Sequence, residues 1–185
     1  DVQGFKAAGI AAGVKKSGKK DMMLLYSEVE AVSAAAFTTN RVKAAPIQVN
    51  MENIKNATTR AIVVNSGNAN ACTGNQGLED AKTMTKLVAE KLELDPKEVL
   101  VQSTGVIGVN LPMDKITAGI DSLVENLTDD GGVDAAVAIM TTDLIKKEFG
   151  VELEELNYAS SLRLFSLEHV SEEALQAIAS MDCVL

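Results

Sequence analysis

Val99-Leu-Val-Gln-Ser-Thr-Gly-Val-Ile-Gly108 is the stretch of the sequence that decides the fold. Its first residues are β-branched or aliphatic, which predicts a buried strand over residues 99–103. A sharp turn is expected on Gly105, because glycine tolerates backbone angles that other residues avoid. Such a turn can aim backbone N–H groups and the Thr104 hydroxyl at one point, the arrangement that stabilises a developing oxyanion in acyl transfer. The same residues would also suit a plain strand-to-loop turn, or a phosphate-binding loop built on Gly105 and Gly108.

Helices with one apolar face are predicted on both sides of this strand. Residues 78–92 and 112–127 carry apolar side chains at helical spacing. Before the strand, Asp95-Pro-Lys-Glu98 combines a capping Asp, a Pro at the first helical position and a Glu three residues after the cap. A short Ala-rich helix is predicted over residues 134–140. The predicted buried positions are Leu78, Ala81, Thr85, Val88 and Leu92 in the first helix and Ile116, Ile120, Leu123 and Leu127 in the second.

Strands dominate the first part of the chain. Short apolar runs predict strands at Met22–Tyr26, Ala31–Phe37 and Ala61–Val64, and another at Val151–Leu153. A last helix is predicted to begin at Ser171. Because strands and helices mix without strict alternation, the sequence predicts an α/β or α+β fold with a mixed sheet.

Charge and composition argue against nucleic acid as a partner. The chain has a formal net charge of −9 over 185 residues, so phosphate backbones repel it. Aromatic residues make up 3% of the sequence and Trp is absent, which argues against surfaces that stack single-stranded bases. The early basic cluster contains Ser and Gly, and it is interpreted as a solvated loop. Its members are Lys15, Lys16, Lys19 and Lys20.

The two cysteines, Cys72 and Cys183, lie far apart and lack metal-ligand spacing, which favours a reduced setting. No apolar run approaches the roughly 20 residues of a membrane helix, and no signal peptide is visible. The sequence therefore predicts a cytoplasmic protein that has no membrane partner and no metal or cofactor motif.

A series of motifs carries a resemblance to a known family. They are Gly4–Ile10, Lys20-Asp21, Leu25–Glu28, Phe37–Pro46, Val64–Gly74, Ser103–Gly108 and Ile139–Asp143. Their order and spacing resemble the α chain of the ornithine acetyltransferase family, also called bifunctional glutamate N-acetyltransferase/amino-acid acetyltransferase. The resemblance covers residues 1–150, which are interpreted as the α-chain domain, and residues 151–185 are interpreted as a divergent C-terminal segment.

The resemblance implies a layered mixed-sheet fold, similar to that of N-terminal-nucleophile aminopeptidases, and a two-chain enzyme. Members of the family cut one precursor before a Thr, and the β chain then begins with the nucleophile. This Thr takes an acetyl group from N-acetylornithine and passes it to glutamate in arginine biosynthesis. The implied assembly is an α2β2 heterotetramer without a cofactor, and some members also use acetyl-CoA as a substrate. An N-terminal Thr can use its own α-amine as the general base.

Individual residues match the family's functional positions. The resemblance implies that Thr104 and Gly105 form the oxyanion hole. It also implies that Thr141 contacts the substrate, with the adjacent Thr142 as the alternative. The Asn65–Cys72 loop matches a family signature, and a tight Asn/Gly turn that shapes the site is the favoured interpretation.

The sequence departs from the family pattern after residue 143. The family's Lys-Gly-Ser-Gly segment, which includes a substrate-binding Lys and precedes the cut, does not occur there. Around residues 157–176 the similarity to the region of the cut is faint. In that register Ser160 would lie where the nucleophilic Thr belongs, and chance similarity of Ser and Leu is the simpler interpretation.

Other nucleophiles and bases have ordinary structural explanations. Cys72 is interpreted as a small buried cysteine and His169 as an exposed residue. Asp21, Glu28 and Asp143 are interpreted as caps or solvated surface. Two further functions stay open: an N-terminal-nucleophile amidohydrolase resembling the aminopeptidases, and an inactive assembly module that lacks the cleavage segment.

Overall fold

The computed structural model describes residues 2–56, 58–147, 149–153 and 160–164. The chain divides into two compact units, Asp1–Lys146 and Lys147–Leu185. The first unit contains β1 Phe5–Ile10, β2 Met22–Ala31, α1 Ala45–Asn53, β3 Thr59–Asn68, α2 Gly74–Leu92, a 3-10 turn Pro96–Glu98, β4 Val99–Val106, α3 Met113–Glu125 and α4 Gly132–Ala138. The second unit contains β5 Phe149–Leu153 and β6 Ser160–Leu164.

The first unit is built on a four-stranded mixed sheet with the order β1-β2-β3-β4. The first three strands are antiparallel to their neighbours, and β4 runs parallel to β3. The mixed sheet with helices confirms the predicted fold class.

The sheet buries a separate apolar cluster on each face. Alternate side chains of the strands, such as Leu24, Val63 and Val101, pack with α1, α2 and α3 in the larger cluster. Ile116, Ile120 and Leu123 of α3 are fully buried there, as the helical spacing predicts. The smaller cluster places Ala7, Met23 and Val64 against Ala135 and Ala138 of α4. The unit is therefore a sheet between two helical layers.

Strand β3, helix α2 and strand β4 form a parallel βαβ unit, which decides where the site lies. The apolar stripe of α2 buries Ala81, Met84 and Val88 against the sheet, so α2 spans the distance between the two strands. Because β3 and β4 run in the same direction, their carboxyl ends reach the same edge of the sheet. Ligand sites in open α/β sheets lie at such edges.

Two local predictions differ from the structure. The strand predicted at Ala31–Phe37 is wrong, since β2 ends at Ala31 and no strand follows it before Thr59 in the described residues. This run offers small alanines and Val32, which is 84% exposed, so it has little apolar surface to bury. Helix α1 was not predicted, because its buried residues number only three, at Ala45, Pro46 and Val49. The predicted cap at Asp95 is confirmed, with a capping box formed by Glu98, but it begins a 3-10 turn.

The second unit is described only as an antiparallel hairpin. The strand predicted at Val151–Leu153 lies within β5, which pairs with β6 from Phe149↔Leu164 to Leu153↔Ser160. The helix predicted from Ser171 and the side chain of His169 lie outside the described residues. The division of the chain at residue 150 stays a prediction.

Candidate functional site

The candidate site lies where β3 and β4 change from apolar to polar residues. Beyond Val64 and Val101, the paired positions become Asn65↔Ser103, Ser66↔Thr104 and Gly67↔Gly105. Asn65 and Ser66 are fully buried, whereas Thr104 is partly exposed and Gly105 is exposed. The carboxyl end of the parallel pair therefore has buried polar side chains on β3 and residues accessible to solvent on β4.

Gly105 is required by close approach of the two strands. It lies inside β4, which continues to Val106, so the sharp turn predicted at this residue is wrong. Its φ is +131°, and a Cβ atom there would lie 2.4 Å from the carbonyl carbon of Gly67 and 2.6 Å from the nitrogen of Asn68. The register between β3 and β4 shifts at Asn68. Glycine is thus needed because no side chain fits, and the strand is irregular at the predicted oxyanion position.

A network of asparagine side chains fixes the residues around Thr104. Ser103 Oγ donates to Asn65 Oδ1 at 2.6 Å, and Asn65 Nδ2 donates to the carbonyl of Asn68 at 2.9 Å. Asn68 Nδ2 donates in turn to the carbonyls of Val109 and Asn110, at 3.0 and 3.1 Å. These bonds hold both the residue before Thr104 and the loop that follows Gly105. In the described part of the chain, the Thr104 hydroxyl itself makes no hydrogen bond, so it is available to a ligand.

The Asn65–Cys72 segment continues this network into helix α2. Asn70 has a φ of +45°, its N–H donates to Asn68 Oδ1 at 2.8 Å, and its side chain donates to the carbonyl of Gly77. The backbone N–H of Ala69 donates to Val106, which ties the segment to β4. The segment is thus strand up to Asn68 and a turn afterwards, and the turn supports the end of β4.

Helix α1 covers the outer edge of β4 with side-chain amides. Asn50 Nδ2 donates to the Val101 carbonyl at 2.8 Å, and the Val101 N–H donates to Asn50 Oδ1 at 2.9 Å. Asn53 Nδ2 donates to the Val99 carbonyl at 2.9 Å. Because backbone groups alternate in direction along a regular strand, the N–H of Ser103 is expected on the same outer side.

The segment that contains Thr141 and Thr142 follows α4 and is exposed. Its start is anchored to the sheet, because Ser66 Oγ donates to the carbonyl of Ala138. Lys15 Nζ also donates to the Ala138 carbonyl at 3.3 Å, and to the Met140 carbonyl at 2.6 Å. The residues just before the two threonines are therefore held against β3, the neighbour of β4.

Lys15 and Asp21 are structural parts of the candidate site. The interpretation of Lys15 as a solvated residue is wrong, and of the two interpretations of Asp21, a cap or solvated surface, solvated surface is wrong. Asp21 is fully buried, and its carboxylate accepts from the N–H groups of Ala12 at 2.7 Å and Lys15 at 2.8 Å. This carboxylate folds the loop that joins β1 to β2. Burial lowers the pKa of Lys15, an effect that the Asp21 carboxylate opposes and the neighbouring Lys19 adds to. Glu28, by contrast, pairs with Lys6 on the surface at 2.8 Å, as the solvated interpretation predicts.

Cys72 is exposed, so the prediction of a buried cysteine is wrong. It has a φ of +56° in the turn before α2 and lines a cleft of about 270 Å³ with Lys43 and Asn75. Its position in this left-handed turn leaves it outside both apolar clusters. The described residues include no group of His, Cys, Asp or Glu that could hold a metal ion. They also include no helix long and apolar enough to cross a membrane.

The layered mixed sheet is similar to that of solved ornithine acetyltransferase structures. The structure of ornithine acetyltransferase from Mycobacterium tuberculosis, complexed with ornithine, is similar with a TM-score of 0.83 and 39% identity, over 91% of each chain. The arginine biosynthesis bifunctional protein ArgJ from Bacillus halodurans is similar with a TM-score of 0.78 and 39% identity, over 91% of this chain and 90% of that one.

The chain belongs to the ArgJ family, whose sequence profile matches residues 6–167. It is 57% identical over 150 residues to the arginine biosynthesis bifunctional protein ArgJ of Caldanaerobacter subterraneus subsp. tengcongensis, which is 81% of this chain and 37% of that protein. The ArgJ protein of Geobacter sulfurreducens is 52% identical over 147 residues, 80% of this chain and 37% of that protein. The chain thus spans little more than a third of the length of these relatives.

Proposed function

We propose that this chain is the α subunit of a cytoplasmic acetyltransferase that moves an acetyl group from N-acetylornithine to glutamate in arginine biosynthesis. A β chain from the same precursor supplies the nucleophile, and the two chains form an α2β2 heterotetramer. Membership of the ArgJ family and 39% identity to an ornithine acetyltransferase structure support the proposal. The observation that carries it is the end of β4, where the Thr104 hydroxyl, which has no partner in the described part of the chain, adjoins a glycine that no other residue could replace without a clash.

Thr104 and Gly105 stabilise the oxyanion in this proposal. When a nucleophile adds to the acetyl carbonyl, the oxygen gains negative charge, and fixed N–H and O–H donors lower the energy of that state. The Thr104 hydroxyl has no partner among the described residues, and Gly105 follows it at the exposed, irregular end of β4. The asparagine network that begins at Asn65 keeps these donors in place before substrate arrives. Donors that need no reorganisation during the reaction are the effective ones.

The nucleophile is the N-terminal Thr of the β chain in this proposal. No histidine lies among the described residues, so that part of the chain has no Ser-His or Cys-His pair. An N-terminal Thr needs no such partner, because its own α-amine accepts the hydroxyl proton. The hydroxyl attacks the acetyl carbonyl, the proton passes to the departing amine of ornithine, and an acetyl ester remains. The amine of glutamate then attacks this ester, and the Thr hydroxyl is restored. Acetyl-CoA is a second acetyl donor that the same ester would accept.

Thr141, or its neighbour Thr142, binds the acetylated amino acid. Both hydroxyls are exposed, and the segment before them is fixed to β3 by Ser66 and Lys15. A substrate with a carboxylate and an amide offers acceptors for such a hydroxyl. One hydrogen bond of this kind contributes about 0.5–1.5 kcal/mol when neutral and up to about 3 kcal/mol when its partner is charged.

The test is acetyl transfer by the full gene product that contains this chain. Mass spectrometry of the purified protein should reveal a stoichiometric second chain that begins with Thr. The same preparation should consume N-acetylornithine only slowly unless glutamate is added as acceptor. Rapid release of acetate or cleavage of peptide amides without an acceptor would instead indicate the amidohydrolase. A protein without a second chain and without either activity would be the assembly module, and the proposal would be wrong.

A further inference from the structure

The side chain of Lys15 joins the two parts of the candidate site. Its ammonium donates to three backbone carbonyls: Lys20 at 2.8 Å, Met140 at 2.6 Å and Ala138 at 3.3 Å. An ammonium has three N–H donors, so these three acceptors use its full hydrogen-bonding capacity. Two of the carbonyls belong to the segment directly before Thr141. A lysine that satisfies three carbonyls at once fixes their relative positions.

The stem of the same side chain lies against the glycine pair at the ends of β3 and β4. A Cβ atom on Gly67 would lie 3.0 Å from Cγ of Lys15 and 3.5 Å from its backbone nitrogen. On its other side, the backbone of Gly67 is the group that excludes a side chain from Gly105. Lys15 therefore contacts the partner of the oxyanion strand with its stem and the Thr141 segment with its head.

Lys15 is itself held in place by the loop between β1 and β2. Its N–H donates to Asp21 Oδ2 at 2.8 Å, and the carboxylate of Asp21 is fully buried. The backbone of Asp21 continues the connection, because its carbonyl accepts from the N–H of Ser66 at 2.8 Å. Since Ser66 also donates to the Ala138 carbonyl, two independent side chains meet on that one oxygen. The lysine is thus rigid at its base as well as at its tip.

We infer that Lys15 is a positioning residue, which holds residues 138–142 so that the substrate-binding threonine faces the oxyanion donors on β4. The inference rests on the proposed function for its catalytic consequence, but the structural link can be measured alone. A lysine with a solvated ammonium would not matter to residues more than a hundred positions away. Here the loss of the ammonium leaves the Met140 carbonyl without this donor, and Ser66 alone then holds the Ala138 carbonyl.

The matched variants are Lys15→Met and Lys115→Met. Methionine keeps most of the stem and removes the charge. Lys115 is the control, because its Nζ also donates to a backbone carbonyl, that of Gly13 at 2.8 Å, but it makes no contact with the Thr141 segment in the described structure. In the full protein, Lys15→Met should speed amide hydrogen exchange of Ile139 and Met140, whose N–H groups donate to the Ala135 and Val137 carbonyls, by about tenfold or more, and Lys115→Met should not. Equal exchange rates in both variants and wild type would overturn the inference.

Kinetics then separate positioning from plain stability. Lys15→Met should raise KM for N-acetylornithine about tenfold and leave kcat within about threefold, because substrate binding is lost and the oxyanion donors remain. A fall in the unfolding midpoint with faster exchange throughout the first unit and an unchanged KM would indicate a merely structural lysine. If the wild-type protein transfers no acetyl group, the proposed function fails, and the exchange experiment still decides the role of Lys15.

Chemical restoration of the ammonium gives the sharpest check. Lys15→Cys is prepared in a background in which Cys72, Cys183 and any further cysteine of the full protein are replaced by Ser, since an exposed cysteine such as Cys72 would also react. Alkylation with 2-bromoethylamine forms a thioether, releases bromide and places an ammonium at nearly the original distance from the backbone. Exchange of the Ile139 and Met140 amides and KM should both return to within about twofold of the background protein. Failure to restore either would show that the ammonium is not the group that matters.

Discussion

Both halves of the parallel pair β3 and β4 contain fully buried side chains, but different chemistry stabilises them. In the first half, Val63, Val99 and Val101 have no exposed surface and pack in the larger apolar cluster. In the second half, Asn65 and Ser66 also have no exposed surface, and each makes a directed hydrogen bond. Apolar packing is tolerant of orientation, whereas a hydrogen bond fixes distance and angle. One continuous strand can therefore stabilise the fold with its apolar half and position the groups of the candidate site with its polar half.

The comparison predicts that substitutions in the two halves have different readouts. In the apolar half, a substitution should change the free energy of unfolding and leave the reaction nearly unchanged. At Thr104, on the partly exposed rim of the polar half, it should change the reaction and leave unfolding nearly unchanged. The predictions below test this division from the largest expected effect to the smallest.

Thr104→Ala should have the largest effect, in the polar half. Loss of one oxyanion donor should lower kcat by about 10²–10³-fold, which is about 2.7–4 kcal/mol, with little change in KM. The free energy of unfolding should stay within about 0.5 kcal/mol of wild type, because the side chain is partly exposed and makes no hydrogen bond among the described residues. Steady-state kinetics and urea unfolding measure the two quantities. An unchanged kcat would leave Thr104 as an ordinary strand residue.

Val63→Ala should have the opposite profile, in the apolar half. Removal of buried carbons and the cavity left behind should destabilise the protein by about 2–3 kcal/mol. Val63 lies three positions before Ser66, which bonds the Ala138 carbonyl. Because the substitution leaves that bond in place, kcat should change less than about threefold under conditions where the protein is folded. Urea unfolding followed by circular dichroism gives the first number. A large fall in kcat with normal stability would break the division between the halves.

Thr141→Val tests the segment that Lys15 and Ser66 hold beside the polar half. Valine keeps the shape and removes the hydroxyl, so KM for N-acetylornithine should rise about tenfold, or about 1.4 kcal/mol, with the fold intact. Thr142→Val is the matched control. A raised KM in the Thr142 variant alone would assign the contact to Thr142, and no change in either would remove the segment from the substrate site.

The smallest effect is expected on the exposed surface, where side chains are buried neither in an apolar cluster nor in a hydrogen-bond network. On the outer surface Lys91 of α2 pairs with Asp121 of α3 at 2.8 Å, and the hydrogen bond and charge of Asp121 raise the pKa of Lys91 above its ordinary value of 10.5. A raised lysine pKa means that this stabilisation is complete below pH 10.5 and is lost as the pH rises through the folded-state pKa. Lys91→Met should therefore be slightly less stable than wild type near neutral pH, and the difference should shrink at strongly alkaline pH. Lys86→Met, which loses a longer contact within α2 alone, is the control. A difference that grows with pH would contradict this.

The sequence predicts the apolar half of this molecule better than the polar half. The buried stripe of Ile116, Ile120 and Leu123 can be predicted from the sequence, because buried positions on a helix recur with a fixed period. Strand β4 can also be predicted, because β-branched residues cluster at its start. Helix α1 cannot be predicted in this way, because its buried face is short and includes small residues such as Ala45.

The candidate site was only partly predictable. Thr104, Gly105 and Thr141 are suggested by resemblance to the family, and their roles stay predictions. The polar framework around them depends on contacts between residues far apart in sequence, such as Lys15 with Met140, which local patterns do not encode. A basic residue in a Gly-Ser loop has the same local signature whether its ammonium is solvated or satisfied by carbonyls. Cys72 is exposed because of a left-handed turn, and composition alone gives no sign of that geometry.

The two hydrogen bonds between Asn50 and Val101 affect how readily the edge of β4 can pair with another molecule. An unpaired strand edge is a template on which a strand of another molecule can add, and this is a common route to aggregation. The Asn50 side-chain amide bonds both the N–H and the carbonyl of Val101, so these two backbone groups cannot pair with a strand of another molecule. Asparagine is suited to this because its amide repeats the donor and acceptor of a peptide group. Helix α1 therefore shortens the edge of β4 to which a strand of another copy of the chain could pair.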